Sequence, residues 1–354
     1  MRTKEGFWRI TFDTNPNDCN LHCIMCEHHS RYSSVETNRI LANRPKEQMS
    51  IELIRRVLED ARGSNLREII PSTMGEPLLF KDFEQIVELC KEFKVKLNLT
   101  TNGTFPIKGV ASWAKLIVPI ASDVKISWNG ATKSTQEKIM QGSNFEKGIQ
   151  NVKDFLKIRN DYANTGKNYC QTTLQLTFME TNLPELVDIV RLGIDLGIDR
   201  IKGHHLWTNF VEIEPLSLRR SAESIARWND AVSKIKRIAA ERLLPNGKAM
   251  SLMNFDVLDG DATQNLMPEG VCPFLGEEAW IAPDGRFSPC CAPDALRRQL
   301  GNFGNVSEKD IMSIWHNKDY RHLVKNYMQN SVCVACNMRR PPVESYCPNE
   351  GINK

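Results

Sequence analysis

The chain has 354 residues, of which 41% are hydrophobic and 25% are charged, and its formal net charge is +3 at pH 7. These values are typical of a soluble protein with one large and one smaller domain, and the balanced charge gives no reason to expect nucleic acid or an acidic membrane as partner. We see no apolar run of the ~18 residues that a membrane span needs, and no signal peptide. We therefore expect a cytoplasmic protein, in which eleven cysteines indicate metal binding or catalysis rather than disulfides.

Strand-like and helix-like segments alternate six times through the first two thirds of the chain. The six predicted strands are Trp8–Asp13, Arg67–Pro71, Lys96–Thr101, Asp123–Trp128, Gln171–Phe178 and Arg200–Trp207. Between them, apolar residues recur at helical spacing, as in the segment that follows the capping residue Ser50. Because repeated strand–helix units form parallel sheets with crossover helices, we predict an α/β fold, a partial (β/α)₆ TIM-like barrel.

The remainder of the chain departs from this alternation. A long helix from about Ser221 to Leu243 is expected to leave the barrel, and residues 245–270, rich in Gly, Asp, Asn and Pro, are predicted to be a linker or an irregular cap. After Cys272, glycines, prolines and cysteines indicate a smaller unit. We expect a barrel over 1–215, a helix and linker over 216–270 and a small cysteine-containing domain over 271–354.

Three cysteines directly follow the first predicted strand: Cys19, Cys23 and Cys26. Their thiolates can hold one face of a [4Fe–4S] cluster, and because such a cluster usually has four cysteine ligands, one iron is left open. Zinc is the alternative, since three histidines lie nearby at positions 22, 28 and 29. Zinc sites, however, favour C-x₂-C pairs.

The C-x₃-C-x₂-C loop after a first strand resembles the radical S-adenosylmethionine (SAM) superfamily. Further segments match in chain order, each at the end of a predicted strand. Met74-Gly75-Glu76-Pro77 resembles the GGEP segment with Met at the first glycine, and Ser127-Trp128-Asn129-Gly130 resembles the SxDG segment with Asn in place of Asp. Thr101-Asn102-Gly103 ends the third strand as in the family.

The resemblance implies a set of SAM-binding residues: Met74, Gly75, Glu76, Asn102, Ser127 and Asn129. Glu76 would accept hydrogen bonds from the SAM ammonium, and Ser127 would approach its carboxylate or ribose. Ligands of parallel β/α sheets gather at the carboxyl ends of the strands, which supports these positions.

A second set of cysteines lies in the C-terminal unit: Cys272, Cys290, Cys333 and Cys336. The spacing C-x₁₂-G-x₄-C, with Gly285 in a predicted hairpin turn, followed by C-x₂-C, resembles the Twitch form of the SPASM domain. This resemblance implies one auxiliary [4Fe–4S] cluster with four cysteine ligands, and a zinc ribbon is the alternative. The further cysteines of a full SPASM domain are missing, since position 342 is Pro, and Cys347 is given no role.

Other residues are candidates by position. Cys291, beside Cys290, is the candidate catalytic residue, as a hydrogen-atom donor. Of the adjacent His204 and His205, one must point into the barrel and the other outwards, and a buried histidine is the ordinary outcome. Trp207 and Asp13 are candidates for the barrel mouth. Among the remaining cysteines, Cys90 lies on an apolar helical stripe and is expected in the core, and Cys170 is assigned no role.

The resemblance implies an enzyme with two [4Fe–4S] clusters and SAM, in which a 5′-deoxyadenosyl radical removes hydrogen from the substrate. Twitch enzymes include dehydrogenases of aminoglycoside biosynthesis. By that resemblance we expect a radical SAM oxidoreductase that acts on a small hydroxyl-rich substrate, a sugar or an aminocyclitol. The auxiliary cluster would accept an electron, and a flavodoxin or ferredoxin would supply one.

Two other functions stay open: a peptide- or sugar-modifying epimerase or maturase, and a non-catalytic two-cluster electron carrier. The barrel is expected to begin close to residue 1, which leaves no room for an N-terminal leader-peptide domain and so weakens a peptide-maturase function. Neither the substrate nor the hydrogen that is abstracted follows from the sequence.

Overall fold

The computed structural model describes residues 6–72, 74–258 and 270–340. Within them lies one nine-stranded sheet of order β7-β6-β5-β4-β3-β2-β1-β8-β9. The strands are β1 (Arg9–Phe12), β2 (Glu68–Ile70), β3 (Lys96–Thr101), β4 (Ala121–Ser127), β5 (Gln171–Phe178), β6 (Arg200–His205), β7 (Ser251–Met253), β8 (Glu278–Ile281) and β9 (Phe287–Ser288). Every neighbouring pair is parallel except β8 and β9. The predicted α/β fold with a parallel barrel sheet is confirmed, and β1 to β6 fall on the six predicted strands.

Helices connect the strands. In the described residues they are α1 (Val35–Leu41), α2 (Ile51–Asp60), α3 (Phe83–Phe93), α4 (Gly109–Ile117), α5 (Lys133–Ile139), α6 (Phe145–Ala163), α7 (Leu186–Leu196), α8 (Ala222–Glu241), α9 (Asp294–Arg297), α10 (Ile311–Trp315), α11 (Lys318–Asn326) and α12 (Ser331–Val334). Ser50 caps α2 by accepting a hydrogen bond from the Leu53 amide at 3.1 Å. Cys90, on α3, is buried in the core as expected. None of the described helices combines the length and the apolarity that crossing a bilayer requires.

The long helix does not leave the barrel, contrary to expectation. α8 packs against α7, and the chain returns through β7, which pairs in parallel with β6. Trp228 of α8 is buried, with its ring 4.7 Å from that of Phe178, and its indole N–H donates to the Asp256 carbonyl oxygen at 2.9 Å. Residues 245–258 are therefore partly a seventh parallel strand rather than only a linker. Its contacts join segments far apart in sequence, which local periodicity does not reveal.

The C-terminal unit continues the barrel sheet. β8 pairs in parallel with β1, so that Arg9 lies opposite Glu278, and β8 and β9 form the predicted hairpin. Gly285 has φ +84°, a conformation that glycine adopts readily, and its amide donates to the Ala282 carbonyl oxygen at 2.9 Å. This pairing brings the second cysteine set beside the barrel.

Candidate active site

A cavity of about 410 Å³ lies within the barrel that the sheet forms. It is lined by the first three cysteines and by residues at the carboxyl ends of β2 to β6, where ligands of such sheets bind. The C-terminal unit contributes its wall residues Phe274, Cys291, Pro293 and Met338. Both cysteine-bearing parts of the chain therefore contribute to a single cavity.

Cys19, Cys23 and Cys26 all line this cavity. Burial raises the pKa of the Cys19 thiol to about 11 and raises the pKa values of the other two, and neighbouring thiols of the set add to the increase for Cys19 and Cys23. The Leu21 amide lies 3.5 Å from Cys19 Sγ, and the His29 amide lies 3.3 Å from Cys26 Sγ. These donors and a bound metal centre both favour the thiolate form that a cluster needs. The donor set therefore fits an iron–sulfur cluster.

The neighbouring histidines bond to the backbone. His29 Nε2 lies 2.8 Å from the Pro16 carbonyl oxygen, and His22 Nδ1 lies 3.2 Å from the His29 carbonyl oxygen. Neither they nor His28 line the cavity. Residues 6–72, 74–258 and 270–340 contain no group of three or more His, Cys, Asp or Glu side chains arranged to hold a metal ion. A zinc ion needs four ligands at about 2.0–2.3 Å, whereas a cubane cluster spreads its thiolates over several irons.

Glu76 presents a buried carboxylate to the cavity, with 2% of the residue exposed. It accepts hydrogen bonds from the Thr101 hydroxyl at 2.7 Å and from the Asn102 amide at 2.7 Å. Burial raises the pKa of this carboxyl to about 7, against the lowering effect of its hydrogen bonds. A carboxylate has about four acceptor sites, so capacity remains for an ammonium group. The site thus fits the expected contact with the amino group of SAM.

Gly75 lets the loop after β2 lie on the cysteine loop. A Cβ at this position would overlap the Asn15 carbonyl oxygen. The Glu76 amide donates to the Asp18 carbonyl oxygen at 2.7 Å, and Asn15 Nδ2 donates to the Glu76 carbonyl oxygen at 3.0 Å. Close approach of two backbones is thus the physical reason for glycine here.

Two further predicted residues line the cavity while joining loops. Asn102 Nδ2 donates to Asn20 Oδ1 at 2.8 Å, which ties the end of β3 to the cysteine loop. Asn129 Oδ1 accepts from the Thr177 amide at 2.9 Å, which ties the end of β4 to β5. Met74 and Ser127 also line the cavity. All six predicted SAM-binding residues therefore border one space, and their contacts with SAM remain predictions.

The second cysteine set lies behind the cavity wall. Burial raises the pKa of Cys290 to about 12, and the thiols of Cys272, Cys333 and Cys336 raise it as well, which indicates that the four are close together. Cys272 Sγ accepts from the Leu275 amide at 3.4 Å, and Cys336 Sγ accepts from the Met338 amide at 3.4 Å. Cys347 lies outside the described residues. The four thiols fit a cluster with four protein ligands.

Cys291 lies close to this second cysteine set. It lines the cavity, and burial, together with the thiol of Cys290, raises its pKa well above the usual value. A protonated thiol in contact with a substrate space is the form that a hydrogen-atom donor requires. Its catalytic role remains a prediction.

The histidine pair divides as the alternation of a strand predicts. His204 lines the cavity, with Nδ1 3.4 Å from Gln175 Nε2, and burial lowers its pKa to about 4. His205 points away from the cavity and packs against Phe178 and Trp228, at 5.5 and 4.7 Å between ring centroids. Elsewhere, Trp207 lines the cavity as expected, whereas Asp13 is buried but is not among the lining residues.

The sequence analysis missed several polar lining residues: Arg9, Lys125, Gln175, Lys202, Asn209, Asn254, Glu278 and Arg340. Many of them belong to strands. The available signal was a lysine that directly follows a β-branched apolar residue within a predicted strand, as in DVKISW and RIKGHH, because strand alternation places such a lysine on the opposite face from its apolar neighbour.

Family models match both parts of the chain: the radical SAM superfamily model over residues 16–170 and the SPASM iron–sulfur cluster-binding domain model over residues 272–337. The chain therefore carries a radical SAM domain and a SPASM domain. It is a radical SAM enzyme with SAM and [4Fe–4S] clusters as cofactors, as predicted. The alternative of a non-catalytic electron carrier is therefore set aside.

Relatives of several kinds share this architecture. A tungsten-containing aldehyde ferredoxin oxidoreductase cofactor-modifying protein of Pyrococcus furiosus is 25% identical over 341 residues, which cover 91% of this chain and 85% of the relative. SuiB of Streptococcus suis, solved with SAM, has a TM-score of 0.65 at 16% identity and 94% and 72% coverage. The solved structure of anSMEcpe with bound AdoMet has a TM-score of 0.64 at 16% identity, with coverage of 93% and 88%. The two structures establish the likeness of fold alone.

Proposed function

We propose that this enzyme oxidises a small hydroxyl-rich substrate by hydrogen abstraction, with the auxiliary cluster as the electron acceptor. One observation carries the proposal. Cys291, which follows the cluster-ligand candidate Cys290, lines the same cavity as Cys19, Cys23 and Cys26. A substrate in that space would lie between the two cluster sites.

The residues around the space suit this reaction. When bound, the first cluster and SAM supply the 5′-deoxyadenosyl radical that abstracts hydrogen. Glu76 would hold the SAM ammonium, and Ser127 would approach its carboxylate or ribose. Asn209, Asn254 and Gln175 present amides that can donate to and accept from hydroxyl groups.

Oxidation of a carbinol carbon requires the loss of one hydrogen atom, then of one proton and one electron. The product is a carbonyl compound that is two hydrogens lighter than the substrate. A cluster held by Cys272, Cys290, Cys333 and Cys336 would have no open iron, so it is suited to accept an electron rather than to bind the substrate. A one-electron donor such as flavodoxin or ferredoxin would start each turnover.

Epimerisation is the second candidate, and Cys291 is the observation that favours it. Its half-buried thiol lines the cavity, so it could return a hydrogen atom to the opposite face of a substrate radical. The names of the relatives leave this choice open. One is described as modifying a cofactor, and SuiB is described as bound to a precursor peptide.

Assays of the enzyme, reconstituted under anaerobic conditions, distinguish oxidation from epimerisation. A metabolite screen that reports 5′-deoxyadenosine release identifies the substrate, and mass spectrometry in D₂O then follows the product. Oxidation predicts a loss of two hydrogens and a nearly unchanged rate for Cys291→Ala. Epimerisation predicts unchanged mass apart from one deuterium and no turnover in that variant.

Cys90→Ala is the matched control, because Cys90 is buried in the core away from the cavity. A product of unchanged mass made by a fully active Cys291→Ala enzyme would contradict both candidates.

A further inference from the structure

The inner face of the barrel carries a cluster of charged side chains at and below the level of the predicted SAM site. Strand alternation places Arg9 of β1, Lys125 of β4 and Lys202 of β6 on this face, and all three line the cavity. Lys125 precedes Ser127 by two residues on β4, about 6.6 Å further into the barrel at the usual rise of a strand. Lys125 therefore lies below the loops that are expected to hold SAM, whereas Lys202 pairs with Gln175, the partner of Ser127, and so lies level with Ser127.

The acidic side chains of this face are bonded to arginines. Glu68 and Glu278 both bond to Arg9, the latter at 3.0 Å. Asp123 bonds to Arg200 and accepts from the Thr173 hydroxyl at 2.8 Å. The carboxylates thus have cationic partners other than the lysines.

Neither lysine has such a partner. Within the described residues, no carboxylate oxygen lies within 4.0 Å of the Nζ atom of Lys125 or Lys202, and neither side chain makes a hydrogen bond. Lys125 is only 6% exposed. Glu68 and Asp123 act on Lys125 through space, and Glu278 acts on both lysines, but each of these carboxylates is already bonded to an arginine. Lys202 is half-buried. An ammonium group in such surroundings without a directly bonded counter-ion is costly, so two of them facing one cavity point to a ligand that supplies further negative charge.

Neighbouring groups affect the charge of the two lysines and add to the positive charge around them. Burial lowers the pKa of Lys125 to about 8, and burial and the charge of Lys125 lower the pKa of Lys202 well below its usual value. Arg340 also lines the cavity and contributes positive charge near Lys202 and His204. Beside them, Gln175 offers a neutral amide donor.

We propose that Lys125 and Lys202 bind an anionic group of the substrate, a phosphate or a carboxylate, on the inner face of the barrel. This inference rests on the proposed function and narrows its substrate class. Among hydroxyl-rich compounds, it favours a phosphorylated or acidic sugar over an aminocyclitol, whose ammonium groups the two lysines would repel. The anion would anchor the substrate on this face of the cavity and leave its hydroxyl groups facing the site of hydrogen abstraction.

Isothermal titration of the anaerobically reconstituted, SAM-loaded holoenzyme with inorganic phosphate, malonate and acetate tests the site. We expect saturable binding of phosphate or of malonate. Whichever anion binds more tightly indicates whether the substrate group is a phosphate or a carboxylate. Because an anion favours the charged form of both lysines, binding should take up protons, which titrations in buffers of different ionisation enthalpy detect.

The double variant Lys125→Met/Lys202→Met should weaken anion binding at least tenfold, while Lys125→Arg/Lys202→Arg should retain it. Lys234→Met is the matched control, since Lys234 is an exposed lysine of α8. Equal anion affinity in the parent and the double Met variant, or no saturable binding in the parent, would overturn the site. A parallel loss of SAM affinity would also overturn it, by assigning the lysines to SAM.

These outcomes are distinguishable from failure of the proposed function. Release of 5′-deoxyadenosine with dithionite and the mass of the product report on the reaction and do not depend on phosphate or malonate.

Discussion

At the scale of single residues, the buried carboxylate of Glu76 has the most sharply defined expected partner. The variant Glu76→Gln keeps the shape but removes the charge. Losing a charge-assisted hydrogen bond should weaken SAM binding by about 1.5–3 kcal/mol, roughly a 10- to 150-fold increase in Kd. Equilibrium titration of the reconstituted enzyme with SAM measures this.

The control for Glu76 is Glu92→Gln, which removes an exposed carboxylate that pairs with Arg55. It should leave the Kd for SAM unchanged. If Glu76→Gln bound SAM as tightly as the parent, the ammonium would have another acceptor.

Residue-level prediction from the sequence was possible where a motif reflects a physical constraint on the backbone or on the ligand set. Gly75 is identifiable because the loop admits no Cβ, and the first three cysteines because their spacing fits a cluster. Lys125 and Lys202 were not predicted as site residues, because an isolated lysine in a strand is ordinarily solvent-exposed. Only the sheet register shows that both face one interior space.

At the scale of secondary-structure elements, α8 is the part of the fold on which sequence and structure disagree. If it packs as described, Trp228→Ala removes a buried aromatic ring and should lower the free energy of unfolding by about 3–5 kcal/mol. A helix projecting from the barrel would tolerate the change at little cost. Denaturant titration followed by circular dichroism measures the difference.

The exposed position Lys234 on the same helix provides the comparison. Lys234→Ala should change the free energy of unfolding by less than about 0.5 kcal/mol, as ordinary surface substitutions do. A similarly small effect for Trp228→Ala would contradict the packing of α8.

The elements found from the sequence are those with strong local signals. β3 and β5 alternate and end at turn residues, so their existence and direction followed from the sequence. β7 has three residues, and β8 reaches its parallel partner β1 from more than 260 positions away. Such pairings are determined by tertiary contacts, which the local periodicity of the sequence does not reveal.

At the scale of the whole molecule, the sheet joins the two cysteine-bearing parts. Because β8 continues the barrel through β1, the SPASM domain is held against the cavity rather than tethered by a linker alone. The sequence predicted both cluster sites and their order along the chain. It did not predict that both parts of the chain border one cavity, which depends on this distant strand pair.

The number of clusters is a property of the whole chain and gives the last prediction. The parent protein should bind about eight irons, and a variant with Cys19, Cys23 and Cys26 all changed to Ala should bind about four, as one [4Fe–4S] cluster does. Four cysteines fill one auxiliary cluster, and position 342 is Pro, where a full SPASM domain would have a further cysteine. Iron and sulfide assays with Mössbauer spectra count the clusters, and the same triple variant should release no 5′-deoxyadenosine with dithionite. About eight irons remaining in the variant would mean that Cys347 and other residues build a second auxiliary site. Unchanged SAM cleavage in the variant would mean that the first three cysteines do not hold the cluster that cleaves SAM.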